Sequence, residues 1–240
     1  MSRKSDVNTI IAAAKEEYEI IRKQYDRALR EKSLDLRVQV KNIMENLRSP
    51  LDYMAHDVYE TCCQRARTAA GKSDRHYIYF PYGRTEAEFK SHIATSLPDL
   101  ASNNRGVYDL IASIQPFLCN DNWLYDLCSI LNEKKHHRLK AQERSETETY
   151  TVKSEHGSVS TIVNNPNVRI TSMPRAVTIF GVPAEFTSDG IRTAPSDKLA
   201  YNRTKWVAFT FEGSDVNVIR LLDKAVAAIP DFANRLYRLI

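Results

Sequence analysis

The sequence has few glycines and none of the motifs that several large enzyme classes require. Only seven of its 240 residues are glycine, which leaves little chain for glycine-rich loops that hold nucleotide phosphates. It contains no phosphate-binding glycine loop, dinucleotide fingerprint, nucleophile elbow or H-E-x-x-H motif. Enzymes built on those motifs are therefore disfavoured. A small-molecule hydrolase is disfavoured as well, because no nucleophile is recognisable.

Segments that would target or anchor the chain are also lacking. Lys15, Glu16 and Glu17 interrupt the one apolar candidate in the first thirty residues. No stretch of about 18 apolar residues is present to span a bilayer. We therefore expect neither a secretory signal nor a membrane partner.

The cysteines form no C-x-x-C pair, and they are Cys62, Cys63, Cys119 and Cys128. This usage predicts reduced thiols in a cytoplasmic protein and disfavours a zinc site. We expect neither a metal nor a cofactor.

The remaining composition is that of a globular protein, with 42% hydrophobic and 27% charged residues. Lysine and arginine (34) exceed aspartate and glutamate (30), which gives a formal charge of +4. That balance is compatible with an anionic partner but does not require one, because binding a polyanion depends on clustered charge.

Apolar periodicity predicts helices throughout the first part of the chain. One amphipathic helix is predicted over residues 6–31. The next has a coiled-coil-like seam that crosses Pro50 unbroken, so we expect a single kinked helix; the seam consists of Val40, Met44, Leu47, Leu51, Met54 and Val58. Shorter helices are predicted from a Thr85–Glu88 capping box to about residue 93, at 107–114, and from Asp121 onward.

After about residue 148 the pattern changes to short β-branched or aromatic runs, at 149–153, 159–163, 168–171, 176–180 and 206–211. Ser214 is then predicted to cap a closing helix, and Pro230 to start a further helical turn or two. The expected fold is α+β. A helical bundle occupies residues 1–147, and a small antiparallel β unit with the closing helix occupies 148–240 and packs on the bundle.

Residues 71–84 interrupt the helical pattern with an aromatic, extended stretch that Pro81 keeps out of a helix. Two interpretations remain open. The aromatic side chains could form a platform on which bases stack, or they could pack a long connection onto the bundle.

Two polar clusters are candidates for a functional site. The first lies beside Pro50 and comprises Arg48, Asp52, Tyr53 and His56. Its members at four-residue spacing form a ladder on one helix, which is either a solvated face or a buried polar network covered by another helix. The second cluster comprises Asn132, Lys134, Lys135, His136, His137, Arg138 and Lys140. It suits a helix C-terminus, where cations are favoured, or a contact with phosphate or RNA.

Four short motifs resemble an uncharacterised bacterial family that carries L-R-S-x-L-D-H and, at the end of a later helix, N-x-D-K-H-R. They are Leu47-Arg48-Ser49-Pro50-Leu51-Asp52-Tyr53, Phe80-Pro81, Gln115-Pro116-Phe117 and Leu131-Asn132-x-x-Lys135-His136. The family's first motif is spaced like the R-x4-6-H motif of the HEPN superfamily. The helical bundles of that superfamily include metal-independent ribonucleases of toxin and phage-defence systems.

The resemblance implies that Arg48 steadies a scissile phosphate. The motif histidine falls on Tyr53, whose unperturbed pKa near 10 makes it a poor proton shuttle, and His56 lies one turn further on. In the second motif the family's aspartate becomes Lys134, and its arginine becomes His137 or, after a one-residue shift, Arg138.

We expect a HEPN-like protein that binds RNA or a nucleotide and that, as a ribonuclease, would use Arg48 with His136 or His56. Asp52, Tyr53, Asn132, Lys135, His137 and Arg138 are the expected binding residues. The alternative is a non-catalytic interaction module, such as a homodimer formed through helices, in which both clusters are structural.

Overall fold

The fold is α+β, as the sequence predicts. The computed structural model describes residues 2–30, 35–75, 77–134, 142–156, 158–164, 177–187, 190–193, 199–211 and 214–240. Contacts divide the chain into two compact units, Met1–Gln142 with Phe211–Ile240, and Glu143–Thr210. The closing helix thus belongs to the helical unit, whereas the sequence analysis grouped it with the β-rich segment.

The helical unit contains α1 (Lys4–Arg30), α2 (Arg37–Val58), a π-helical turn (Tyr59–Cys63), α3 (Gln64–Ala69), α4 (Glu86–Ser96), α5 (Leu100–Asn103), α6 (Arg105–Ser113), α7 (Pro116–Cys119), α8 (Trp123–Lys134) and α9 (Val218–Leu236). Helix α2 packs against α1, α8 and α9, so it lies at the centre of this unit. The side chains that α2 presents therefore determine much of the core.

The predicted seam of α2 is confirmed. All six seam residues are buried, and the helix continues through Pro50, which is itself buried. Past Val58 the chain does not leave the helical path but widens into the π-helical turn before α3. The sequence pattern, which ends at Val58, does not indicate this continuation.

Helices α1 and α9 supply matching apolar stripes. The α1 stripe is buried at Val7, Ile11, Ala14, Tyr18, Ile21 and Tyr25, a spacing of three and four residues that places one face against the core.

Helix α9 begins after Asn217, whose side chain accepts a hydrogen bond from the Arg220 amide. The prediction that Ser214 caps this helix is therefore wrong. Pro230 lies inside α9 rather than at the start of a new turn.

A buried carboxylate joins three segments of the helical unit. Asp57 on α2 is 3% exposed. It accepts hydrogen bonds from the Arg3 amide at 2.9 Å, from Arg3 Nη1 at 2.9 Å and from the Tyr237 hydroxyl at 2.8 Å. Arg3 also contacts Glu60 at 2.7 Å. A buried charge is tolerated only when it is paired and hydrogen-bonded in this way.

The β-rich unit contains β1 (Gln142–Ser154), β2 (Val159–Asn164), β3 (Val177–Ile179), β4 (Val182–Thr187), β5 (Gly190–Thr193) and β6 (Leu199–Phe211). The strands form two three-stranded sheets, in the orders β2-β1-β6 and β3-β4-β5. The pairings of β1 with β2, of β3 with β4 and of β4 with β5 are antiparallel. Val152, Ile179 and Ala184 form the apolar cluster of this unit. The strand predicted at 168–171 lies outside the described residues.

Within the described part of the chain, no helix combines the length and the apolar character needed to cross a membrane.

Candidate functional site

The helical unit contains a pocket of about 670 Å³, which is in the size range of small-molecule sites. Its polar lining combines charged groups with hydrogen-bonding groups: Glu45, Arg48, Ser49, Asp52, His92, Thr95, Ser96 and Asn132. Its aromatic lining is Tyr79, Phe80 and Tyr82. Side chains from α2, α4, α8 and the connection before α4 therefore converge on one place.

Helix α2 brings Arg48 and Asp52 together because residues four apart lie on the same side of a helix. Arg48 Nε lies 3.4 Å from the Asp52 carboxylate, and the Arg48 side chain is only 12% exposed. Asp52 Oδ1 also accepts a hydrogen bond from the Phe80 amide at 2.8 Å. The connection before α4 therefore covers this face of α2. The solvated-face interpretation fails for Arg48, and the covering element is an extended segment rather than a helix.

Gln115 fixes the other end of that extended segment. Its side chain is fully buried, accepts a hydrogen bond from the Gly83 amide at 3.1 Å and donates to the carbonyls of Pro81 and Ile111. Pro81 has no amide hydrogen and disfavours helix in the residue before it. Asp52 and Gln115 thus hold the extended backbone from both sides.

The aromatic residues of the segment alternate in burial, as expected for extended backbone. Ile78 and Phe80 are buried, and the Phe80 ring makes an edge contact with Phe232 of α9 at 5.5 Å between centroids. Tyr77 and Tyr79 are 77% and 51% exposed. The packing interpretation therefore holds for one side of the segment, and the other side presents aromatic surface.

Tyr82 connects three parts of the pocket. The Arg48 guanidinium lies over its ring at 5.3 Å, and the His92 ring contacts it edge-on at 5.2 Å. Arg48 and His92 are therefore separated by no more than the sum of these two distances. The Tyr82 hydroxyl accepts a hydrogen bond from the side-chain amide (Nδ2) of Asn132 at 2.6 Å. Burial raises the pKa of the Tyr82 phenol, so it stays protonated near neutral pH.

Arg48 keeps its charge in a largely buried position. Burial opposes the charge, but the Asp52 carboxylate beside it favours the charge, and the pKa of the guanidinium is raised overall. Its Nη1 is buried and has no hydrogen-bond partner among the residues that the structure describes. A buried charged donor without a partner is costly. The guanidinium as a whole lines the pocket, so Arg48 is a candidate for binding a ligand oxygen.

The buried thiols provide a pH-dependent prediction. Burial raises the pKa of Cys128 from 9.0 to about 11, and that of Cys63 to about 12. The native state then holds these protons at pH values where the unfolded chain has released them. We expect the free energy of unfolding to be fully retained below pH 9 and to fall as the pH rises from 9 to 11. Urea titrations across this range will measure it.

Alkylation distinguishes the buried thiols of Cys63 and Cys128 from the exposed thiol of Cys119. Native protein treated with iodoacetamide at pH 8 should be modified at Cys119, which is exposed, and protected at Cys63 and Cys128. Unfolded protein should be modified at all of them. Rapid native-state modification of Cys128, located by mass spectrometry, would contradict its burial.

The structure places some of the predicted site residues in the pocket and others elsewhere. Arg48, Asp52 and Asn132 line it. Tyr53, which is 38% exposed, and the partly buried His56 are not among its described lining residues. The remaining predicted site residues, Lys135, His136, His137 and Arg138, lie outside the described residues, so their expected roles stay predictions.

Sequence reasoning missed His92, Tyr82 and Glu45. Tyr82 belongs to the aromatic stretch that was considered as a stacking platform, but His92 and Glu45 lie in helices where nothing in the sequence distinguishes them from ordinary exposed residues. Their proximity to Arg48 depends on tertiary packing. No local sequence pattern indicates this proximity.

Among the described residues, no group of three or more histidine, cysteine or acidic side chains is placed to hold a metal ion. Comparisons with protein-family models, with curated proteins and with solved structures find no match for this chain.

Proposed function

We propose that the pocket binds a nucleotide, either free or as one residue of single-stranded RNA, with Arg48 contacting the phosphate. The observation that carries this proposal is the charged, largely buried guanidinium of Arg48, which lines a pocket with aromatic walls. A phosphate oxygen would form a charge-assisted hydrogen bond with this guanidinium, which is among the strongest in proteins. The resemblance of the Arg48 motif to phosphate-contacting motifs points the same way.

The aromatic wall supplies the second part of the proposed recognition. Tyr79 lines the pocket and is half exposed, so a base can stack on its ring. Stacking of a base on an aromatic side chain contributes about 1–3 kcal/mol and works for every base. With 51% of its surface exposed, Tyr79 is the most accessible of the three aromatic residues that line the pocket.

The charge of the described lining favours a single nucleotide over a long polyanion. It contains one arginine, Arg48, and two carboxylates, Glu45 and Asp52. A groove that follows a phosphate backbone is instead lined with several cations. We therefore expect one phosphate contact at this pocket and a modest dependence of affinity on salt.

The binding test compares two arginines in similar local surroundings. Each of the two, Arg48 and Arg105, pairs with an aspartate four residues later. The guanidinium lies over a tyrosine ring in both cases, at 5.3 Å for Arg48 and 5.2 Å for Arg105. Arg105 differs in that it is 70% exposed and does not line the pocket. Replacing Arg48 with alanine should weaken binding of a nucleoside monophosphate at least about tenfold, because a charged hydrogen bond is lost. Arg105→Ala should leave binding unchanged. Calorimetric titration measures both.

Two further results test the same proposal. Tyr79→Ala should weaken binding by about fivefold or more, and Tyr77→Ala, which alters an exposed ring that does not line the pocket, should not. Thermal unfolding of each variant checks that it is folded. Failure of wild-type protein to bind any nucleotide or a short RNA, or equal binding by Arg48→Ala, would reject the proposal. The interaction-module alternative would then be favoured.

A metal-independent ribonuclease is a second candidate, favoured by the contacts that His92 and Arg48 both make with the Tyr82 ring. In such a reaction the 2′-hydroxyl attacks the adjacent phosphorus and the bond to the 5′-oxygen breaks. A base takes the 2′ proton, and an acid protonates the departing 5′-oxygen. Cleavage of RNA that persists in EDTA and is lost in His92→Ala and Arg48→Ala would support it. Binding without cleavage would leave nucleotide binding as the function.

A further inference from the structure

Glu45 has no evident structural role, although it lines the pocket. It lies three residues before Arg48 on α2, and side chains at this spacing are neighbours on a helix surface. Its carboxylate is 51% exposed and lies 3.0 Å from Lys41, its one ionic partner among the described residues. Exposed ion pairs of this kind exchange readily with other partners. The carboxylate is therefore accessible to a ligand in the pocket.

The other pocket carboxylate is already occupied. Asp52 accepts a hydrogen bond from the Phe80 amide and lies against Arg48, so its carboxylate already has protein partners. Glu45 is thus the acidic group available for recognition. It also makes the described lining more negative, which is unfavourable for phosphate alone. A ligand that combines a phosphate for Arg48 with a donor-rich edge for Glu45 satisfies both groups.

Base chemistry decides which nucleotide offers that edge. An ionised carboxylate only accepts hydrogen bonds. Guanine presents two adjacent donors, N1–H and the N2 amino group, which match the two carboxylate oxygens. Adenine and cytosine place a ring-nitrogen acceptor beside their amino group, and uracil places its one N–H between two carbonyls. Each of these three bases would set an acceptor against the second carboxylate oxygen.

Resting on the nucleotide-binding function proposed above, we infer that Glu45 makes this pocket selective for guanine. The carboxylate receives N1–H and N2–H from the base, Tyr79 stacks on the base, and Arg48 contacts the phosphate. The expected ligand class is a guanine nucleotide or a guanosine within single-stranded RNA. A short RNA with a single guanosine, compared with GMP, distinguishes these two sources.

The test measures binding of GMP, AMP, CMP, UMP and inosine monophosphate to the full chain. GMP should bind about tenfold more tightly than AMP, CMP or UMP, as expected for a bidentate contact with a base. Inosine monophosphate keeps N1–H but lacks the N2 amino group, so its affinity should lie between those of GMP and AMP. Glu45→Gln should lower the affinity for GMP about tenfold and leave that for AMP nearly unchanged.

A matched control is available on α4. Glu86 is also exposed and also pairs with a lysine at i,i+4 spacing, at 2.6 Å from Lys90, but it does not line the pocket. Glu86→Gln should retain the full preference for GMP. Equal binding of all the nucleotides, or an unchanged preference in Glu45→Gln, would overturn the guanine selectivity and leave nucleotide binding standing. If no nucleotide binds, the proposed function and the selectivity both fail.

Discussion

Replacing Asp57 with alanine is expected to lower the free energy of unfolding by roughly 3–5 kcal/mol, the cost of removing one partner from a buried charge network. The substitution removes the acceptor for the Arg3 amide, for the Arg3 guanidinium and for the Tyr237 hydroxyl. Arg3, just before α1, and Tyr237, just after α9, would both lose these hydrogen bonds to α2. Urea denaturation followed by circular dichroism measures the loss.

An exposed pair provides the control. Asp109 pairs with Arg105 at 2.9 Å in the same helical unit, but its side chain is 55% exposed. Asp109→Ala should cost no more than about 0.5 kcal/mol, as exposed pairs do. Asp57→Asn keeps the shape and part of the hydrogen bonding, so we expect a smaller loss than for alanine. Equal stability of Asp57→Ala and Asp109→Ala would contradict the buried network.

The second large effect is expected for Gly83→Ala. A Cβ atom at this position would lie 2.4 Å from the Phe89 amide nitrogen and 2.9 Å from the Glu88 Cβ. The first contact is with backbone of α4, which cannot rotate away as a side chain can. Relief requires that the segment or the helix move, and the Gln115 hydrogen bond to Gly83 opposes such a movement. We expect a loss of about 3 kcal/mol, at the upper end for overpacking.

Gly106 allows the same substitution without the clash. The nearest atom to a Cβ there is a side-chain oxygen of Asn104 at 3.6 Å, and Gly106 lies in the first turn of α6. Gly106→Ala should therefore change the free energy of unfolding by no more than about 0.5 kcal/mol, in the stabilising direction, because alanine favours helix. Thermal melts of both variants compare them directly. A Gly83→Ala protein as stable as Gly106→Ala would contradict the close approach of residue 83 to the backbone of α4.

Features that depend on local pattern were predictable from the sequence. The seam of α2 is buried where the spacing predicts, because a helix places residues three and four apart on one face. The capping box is confirmed, with the Thr85 hydroxyl accepting from the Glu88 amide. The strand predicted at 206–211 is the end of a longer one, β6. Boundaries were less predictable, because segment ends depend on neighbouring elements as well as on propensity.

The composition of the pocket was only partly predictable. Arg48, Asp52 and Asn132 were identified as polar residues in otherwise apolar or patterned surroundings. Their meeting depends on the path of residues 77–84, which Asp52 and Gln115 hold by hydrogen bonds to backbone atoms. Such hydrogen bonds produce no periodic pattern in the sequence. For the same reason the sequence could not indicate that His92 lies beside Tyr82.

The π-helical turn at Tyr59–Cys63 affects how the sequence of this region should be aligned. A π-helical turn closes hydrogen bonds between residues five apart, and so contains one residue more than an α-helical turn. A helical wheel drawn through α2 and carried on into α3 would therefore be out of phase by about one residue. Any sequence that lacks this extra residue would keep the faces of α2 and α3 aligned only with a one-residue gap placed between Val58 and Gln64. A gap placed in α2 between Arg48 and Asp57 would shift Asp57 out of register, and a gap placed before Arg48 would shift both residues.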